Sequence, residues 1–233
     1  MRVAILGAGA IGGFLGARLA MQGADVSLVA RGPHLAAMQR DGVRLVEPEG
    51  EHVVRVQATD DLATLREADA VFVTLKSHSL PAIAPELAAN LNPTAAVVSA
   101  QNGIPWWYFQ RHGGDLDGLR LETVDPGGSV AAAIGPGRVI GCIVYAATSI
   151  TGPGVVSHLE GDRFTLGELD GATPLVTLTD GSASITDAGR SVLAGEADRG
   201  ELFGIDRWVG GTHLVPGAVW RWDVDASKLV APE

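Results

Sequence analysis

The sequence predicts an α/β fold, a doubly wound and mostly parallel sheet with extra edge strands. Three observations carry that reading. Short apolar runs alternate with stretches of helical periodicity from Arg2 to Ala100, and a glycine-rich turn follows the first run. After Leu119 the helical stretches give way to short strands punctuated by Gly and Pro. Alternation of this kind places helices on both faces of a parallel sheet.

Taken in order, residues 3–6 form an apolar strand that ends at glycine. Residues 11–21 carry apolar side chains at helical spacing, with Gly23 beyond them as a C-cap. Residues 24–30 read as a second strand and residues 33–40 as a short helix. "VRLVEPEGEHVVRV" holds two β-rich runs around Pro48, Glu49 and Gly50, a hairpin or a pair of edge strands. Residues 70–75 form a buried-type strand. A helix over residues 81–91 requires Pro85 in its first turn. Residues 95–100 make the next strand, and "WWYF" at 106–109 anchors a helix against the sheet or a partner. The later segments, "RLETVDPGGSVAAAIGPGRVIGCIVYAATSI" and "GVVSHLEGDRFTLGEL", read as further strands on the sheet's far edge. Beyond Gly171 the apolar pattern weakens, and Trp208, Trp220 and Trp222 fall in that tail. The chain therefore divides into a domain over residues 1–170 and an atypical segment over residues 171–233.

Composition narrows the function classes. The 233 residues are 46% apolar, enough for a sizeable core, and carry a formal net charge of −10. That balance argues against a nucleic-acid or anionic-membrane surface, so an anionic ligand needs a local exception. Cys142 is the single cysteine, which excludes an intrachain disulfide and fits a reducing cytoplasm. No apolar run approaches the roughly 18 residues of a membrane helix. Arg18 and the glycine spacing make the apolar start a folded strand–turn–helix rather than a signal peptide.

The turn "GAGAIG" runs Gly7, Ala8, Gly9, Ala10, Ile11, Gly12 and has the G-x-G-x-x-G spacing. Gly7 permits the tight turn, Gly9 lets backbone N–H groups approach a pyrophosphate, and Gly12 lets helix and strand pack closely. The helix that follows points its N-terminal donors at the phosphates. Its place between a strand and a helix makes the motif a dinucleotide site of Rossmann type, against the plainer reading of a packing turn. At the end of the second strand, where NAD-binding folds place an acidic residue, stands Arg31. A guanidinium there pairs with the 2′-phosphate of NADP; the plainer reading is a solvated loop arginine.

Two later strand ends carry polar residues, Lys76 in "VTLKSHS" and Asn102 in "VVSAQNG". Lys76 offers a cation to a phosphate or carboxylate. Asn102 can donate and accept one hydrogen bond each, orienting a nicotinamide, its ribose or a substrate oxygen. Singly, each is equally well a helix-start lysine or a turn residue before Gly103. Their position at consecutive strand ends favours a cleft. The six histidines lack metal-ligand spacing, His78 belongs to a surface loop, and no G-x-S-x-G pattern occurs.

"GAGAIGG", Arg31, "VTLK", "QNG", "VIGCIVYAAT" and "GPGVVSHLEGDRFTLGE" together resemble ketopantoate reductase (2-dehydropantoate 2-reductase) over residues 1–170. The resemblance implies an oxidoreductase that reduces 2-dehydropantoate to pantoate with NADPH, on the route to pantothenate and coenzyme A. It implies that residues 7–12 hold the pyrophosphate, Arg31 the 2′-phosphate, and Ala147 the cofactor through its backbone. Lys76 and Asn102 would line the cleft toward cofactor and substrate. It also implies a helical second domain longer than residues 171–233, with a catalytic lysine on its first helix. "RGELFGID" at 199–206 echoes that helix, but Ile205 occupies the lysine place, and lysine occurs only at 76 and 228. No catalytic residue is carried over. The alternatives are a protein that holds NADP(H) without turnover and a reductase of another small 2-ketoacid. Oligomeric state is not legible, and a dimer stays open.

Overall fold

The computed structural model describes residues 1–111 and 115–169. Beyond these it describes only the backbone of four strands, Val176–Thr179, Ser182–Ile185, Val219–Asp223 and Lys228–Val230. The expectation for residues 171–233, including Ile205 and Trp208, therefore falls outside the described residues apart from those strands, of which Val219–Asp223 contains Trp220 and Trp222.

The parallel sheet is built from β1 (Arg2–Leu6), β2 (Asp25–Val29), β5 (Gln57–Thr59), β6 (Ala70–Val73), β7 (Ala96–Ser99) and β8 (Val139–Val144). Their spatial order is β5-β2-β1-β6-β7-β8, all parallel. This is the doubly wound order, with the switch point between β1 and β6. Strand β11 (Arg163–Glu168) adds to β8 antiparallel, the extra edge strand expected, and Val219–Asp223 pairs with β11 in turn. The four central strands are apolar on both faces because both are covered: Val3 and Ile5 pack on one side, Ala4 and Leu6 on the other.

One face carries α3 (Leu80–Asn90) and α4 (Ser129–Ile134). Pro85 lies inside α3 rather than in its first turn. The helix starts a residue earlier than expected, so Pro81 takes the first-turn place. Burial of Leu80, Ala84 and Leu87 offsets the one backbone bond that Pro85 cannot donate. The aromatic run at 106–109 anchors a turn, not a helix. Trp106 is buried in the core, and a Cβ at Gly141 would lie 2.8 Å from the Trp107 ring.

The other face carries α1 (Ala10–Met21), and above it a second sheet that sequence reading placed elsewhere. The hairpin β3 (Val43–Glu47) and β4 (Gly50–Val54) forms as expected. However, β9 (Ala147–Gly152) and β10 (Val155–Glu160) do not extend the main sheet. They join the hairpin in the order β4-β3-β10-β9. The reason lies in α1, which is apolar nearly all round and needs cover on two sides. Toward the main sheet, a Cβ at Gly16 would lie 2.4 Å from Leu28; toward the second sheet, a Cβ at Gly13 would lie 2.8 Å from Val156. Arg18 of α1 pairs with buried Glu47 of β3 at 2.6 Å, and His158 of β10 reaches the same carboxylate oxygen at 3.0 Å. Phe14 stacks on the His158 ring at 4.3 Å. Among the described residues no helix is long and apolar enough to cross a membrane.

Candidate dinucleotide-binding site

The glycine turn is fixed by backbone chemistry at every step. Gly7 has φ +105°, a conformation open to glycine, and a Cβ there would sit 2.9 Å from the Leu75 amide nitrogen. The Gly7 and Ala8 N–H groups both donate to the Val29 carbonyl at the end of β2, at 3.1 and 2.8 Å. Thr74, one residue past β6, donates its hydroxyl to the Gly7 carbonyl at 2.7 Å. A Cβ at Gly12 would come within 2.5 Å of both the Gly7 carbonyl oxygen and the Thr74 hydroxyl. Close packing of helix on strand is therefore the work of Gly12.

Gly9 differs from its two neighbours in the motif. It is the N-cap of α1, makes no side-chain cap, and a Cβ there would meet only the Gly7 oxygen at 3.9 Å. Its side faces open space that a ligand can enter. The first bond within α1 runs from the Gly13 N–H to the Gly9 carbonyl at 2.7 Å. The N–H groups of Ala10, Ile11 and Gly12 stand ahead of that bond, and the first turn holds no acidic residue. Such an end suits an anion.

Arg31 is exposed in extended backbone at the N-cap of α2 (Gly32–Asp41), two residues past β2. It follows the strand that neighbours β1, which leads into the glycine turn. Lys76 is exposed past β6, capping a short 3-10 turn over Ser77–Ser79 in which His78 is exposed. Asn102, past β7, is exposed as a residue, but its amide faces Val144 at the end of β8. The amide donates to the Val144 carbonyl and accepts from its N–H, both at 3.4 Å. Ala147 opens β9, three residues past β8, and is half-buried. Because β1, β6, β7 and β8 are adjacent and parallel, the glycine turn, Lys76, Asn102 and Ala147 share the carboxyl edge of one sheet. Sequence reasoning missed Thr74 and His34. The first lay inside the strand read over residues 70–75, which the structure ends at Val73. The second depends on a turn 120 residues away.

Residues 3–106 match the family described as ketopantoate reductase PanE/ApbA. A 2-dehydropantoate 2-reductase of Mesorhizobium japonicum is 48% identical over 172 residues, covering 73% of this chain and 53% of the relative. Over these residues the chain is similar to ketopantoate reductases. A 2-dehydropantoate 2-reductase of Nostoc is 28% identical over 171 residues, 72% of this chain and 46% of its own length. A solved Ralstonia solanacearum structure described as a ketopantoate reductase superposes with a TM-score of 0.69 at 45% identity. It covers 73% of this chain and 53% of that one. The PanE/ApbA family ketopantoate reductase of Ralstonia eutropha gives 0.54 at 31% identity, over 68% and 46%. The chain thus spans about half the length of the curated relatives it matches.

Proposed function

We propose that residues 1–170 are the NADP-binding domain of a reductase that converts 2-dehydropantoate to pantoate. The observation that carries this reading is the pairing of an uncapped, glycine-bounded helix start with an arginine at the end of the neighbouring strand. Backbone N–H groups at residues 10–12 hold the pyrophosphate, those of Ala8 and Gly9 being taken by the Val29 and Gly7 carbonyls. Arg31 holds the 2′-phosphate; a charge pair of this kind is worth about 1 kcal/mol at 4 Å in water and about 4 at an effective dielectric of 20. Asn102 and the Ala147 backbone border the nicotinamide end, and Lys76 offers its ammonium to a phosphate or to the substrate carboxylate. When bound, the reduced nicotinamide supplies a hydride for the ketone. The developing negative charge on the ketone oxygen needs a positioned donor. A second reading, a protein that holds NADP(H) without turnover, is favoured by Ile205 at the place of the family's lysine.

Fluorescence titration with NADPH, followed by its oxidation in the presence of 2-dehydropantoate, separates these readings. Binding with turnover is the expected result for the reductase, and binding without turnover assigns the holder. Turnover with a different 2-ketoacid alone corrects the substrate. No binding of NADPH or NADP+ overturns both.

A further inference from the structure

We propose that His34 is a positioning residue for this site, tying the first turn of the Arg31 helix to the β9–β10 turn beside the glycine turn, so that preference for the phosphorylated dinucleotide depends on it. The proposal rests on the NADP reading above and assigns a role to a residue that touches no ligand.

The contact spans the two sheets. Gly154, in the turn between β9 and β10, donates its N–H to His34 Nδ1 at 2.9 Å. That turn has little freedom. Gly154 has φ +74°, and a Cβ there would lie 2.9 Å from the Ala37 Cβ, so the turn lies flat on α2 and only glycine fits. The Gly154 carbonyl accepts from the Arg44 N–H at 2.9 Å, which fastens the turn to β3. His34 is thus held from a rigid neighbour, and α2 is held from His34.

The tautomer follows from the geometry. Nδ1 accepts, so the ring proton sits on Nε2. Nε2 is buried, without a hydrogen-bond partner at good geometry, and the Ala8 backbone of the glycine turn lies beside the ring. Burial holds the imidazole below the usual histidine range, the Ala8 backbone opposing it more weakly. The ring is therefore kept neutral, the form the Gly154 bond requires. Farther along α2, Leu35, Ala37 and Met38 are buried, and Gln39 donates to the Ala58 carbonyl at 3.0 Å. Those contacts hold the body of the helix, which leaves His34 to set its first turn and the direction from which Arg31 departs.

The test uses the full chain and two variants, His34→Phe and His34→Asn, with dissociation constants for NADPH and NADH measured side by side. His34→Phe is expected to weaken NADPH about tenfold and NADH much less, the scale of one lost hydrogen bond. His34→Asn keeps an acceptor near the Nδ1 position and is expected to recover most of the NADPH affinity. Independently of any ligand, nitrogen-15 NMR of the wild-type ring is expected to show a bare Nδ1 and a protonated Nε2. Equal loss for both dinucleotides, no recovery in His34→Asn, or a protonated Nδ1 overturns the proposal while leaving the NADP reading intact. Failure of the wild-type chain to bind NADPH overturns both.

Discussion

At the β1 end of the crevice the groups that face a ligand are backbone N–H groups, held by Val29, Thr74 and three glycines. At the β6–β8 end they are side chains, an exposed Lys76 and an Asn102 amide that leans on Val144 through two long contacts. The first end is preorganised, because donors fixed by the fold lose no freedom when an anion arrives. The second end is adjustable, because side chains lose rotamer freedom when they engage a ligand. On the proposed reading, holding a dinucleotide and reducing a ketone are thus separable tasks, and the fold preorganises the groups for the first alone.

The largest way to break that contrast is to spoil the rigid end. Gly12→Ala drives a methyl to 2.5 Å from the Gly7 oxygen and the Thr74 hydroxyl. It is expected to lower unfolding free energy by about 3 kcal/mol, read by urea denaturation, with NADPH binding lost alongside. Arg31→Asp comes next. It is expected to weaken NADPH by about 2 kcal/mol, roughly thirtyfold, with NADH little changed, as measured by calorimetry. Equal losses would remove Arg31 from the 2′-phosphate. Gly9→Ala sharpens the comparison because its methyl meets open space. Stability should stay within about 0.5 kcal/mol while NADPH affinity falls about tenfold, since the methyl fills the approach to the pyrophosphate. A Gly9→Ala protein that binds normally would make the turn structural.

The smallest effect is one of pH. The His34 pKa is lowered by burial, so the unfolded chain takes up its proton first as pH falls. Its contribution to stability is present in full above the ordinary histidine value of about 6.5. It is lost as pH falls from there through the lower folded value. Thermal melts across that window should show less acid sensitivity in His34→Asn than in the wild type.

Apart from β5 (the polar run Gln57–Thr59) and α4 (inside a stretch read as strands), much of the fold was legible, because most of the main sheet's strands are apolar runs bounded by Gly or polar residues. The glycine turn was legible for the same reason, its chemistry being local: three glycines within six positions. What stayed hidden was long-range. Nothing in "VVSHLE" says whether that strand lies on the main sheet or over α1; the decision belongs to Val156 meeting the bare backbone at Gly13. Arg18 was legible as a sign against a signal peptide, but not as the partner of Glu47, since burial of a charge depends on the opposite charge arriving from elsewhere. His34 was hidden likewise, its acceptor role set by Gly154.

Glycine at positions 12, 13 and 16 brings α1 into direct touch with layers above and below. A helix gripped on two sides has little room to slide or tilt, so close packing above and below fixes where its donor-bearing tip stands. The tip at residues 9–12 is therefore the part of the carboxyl edge that both layers hold in place.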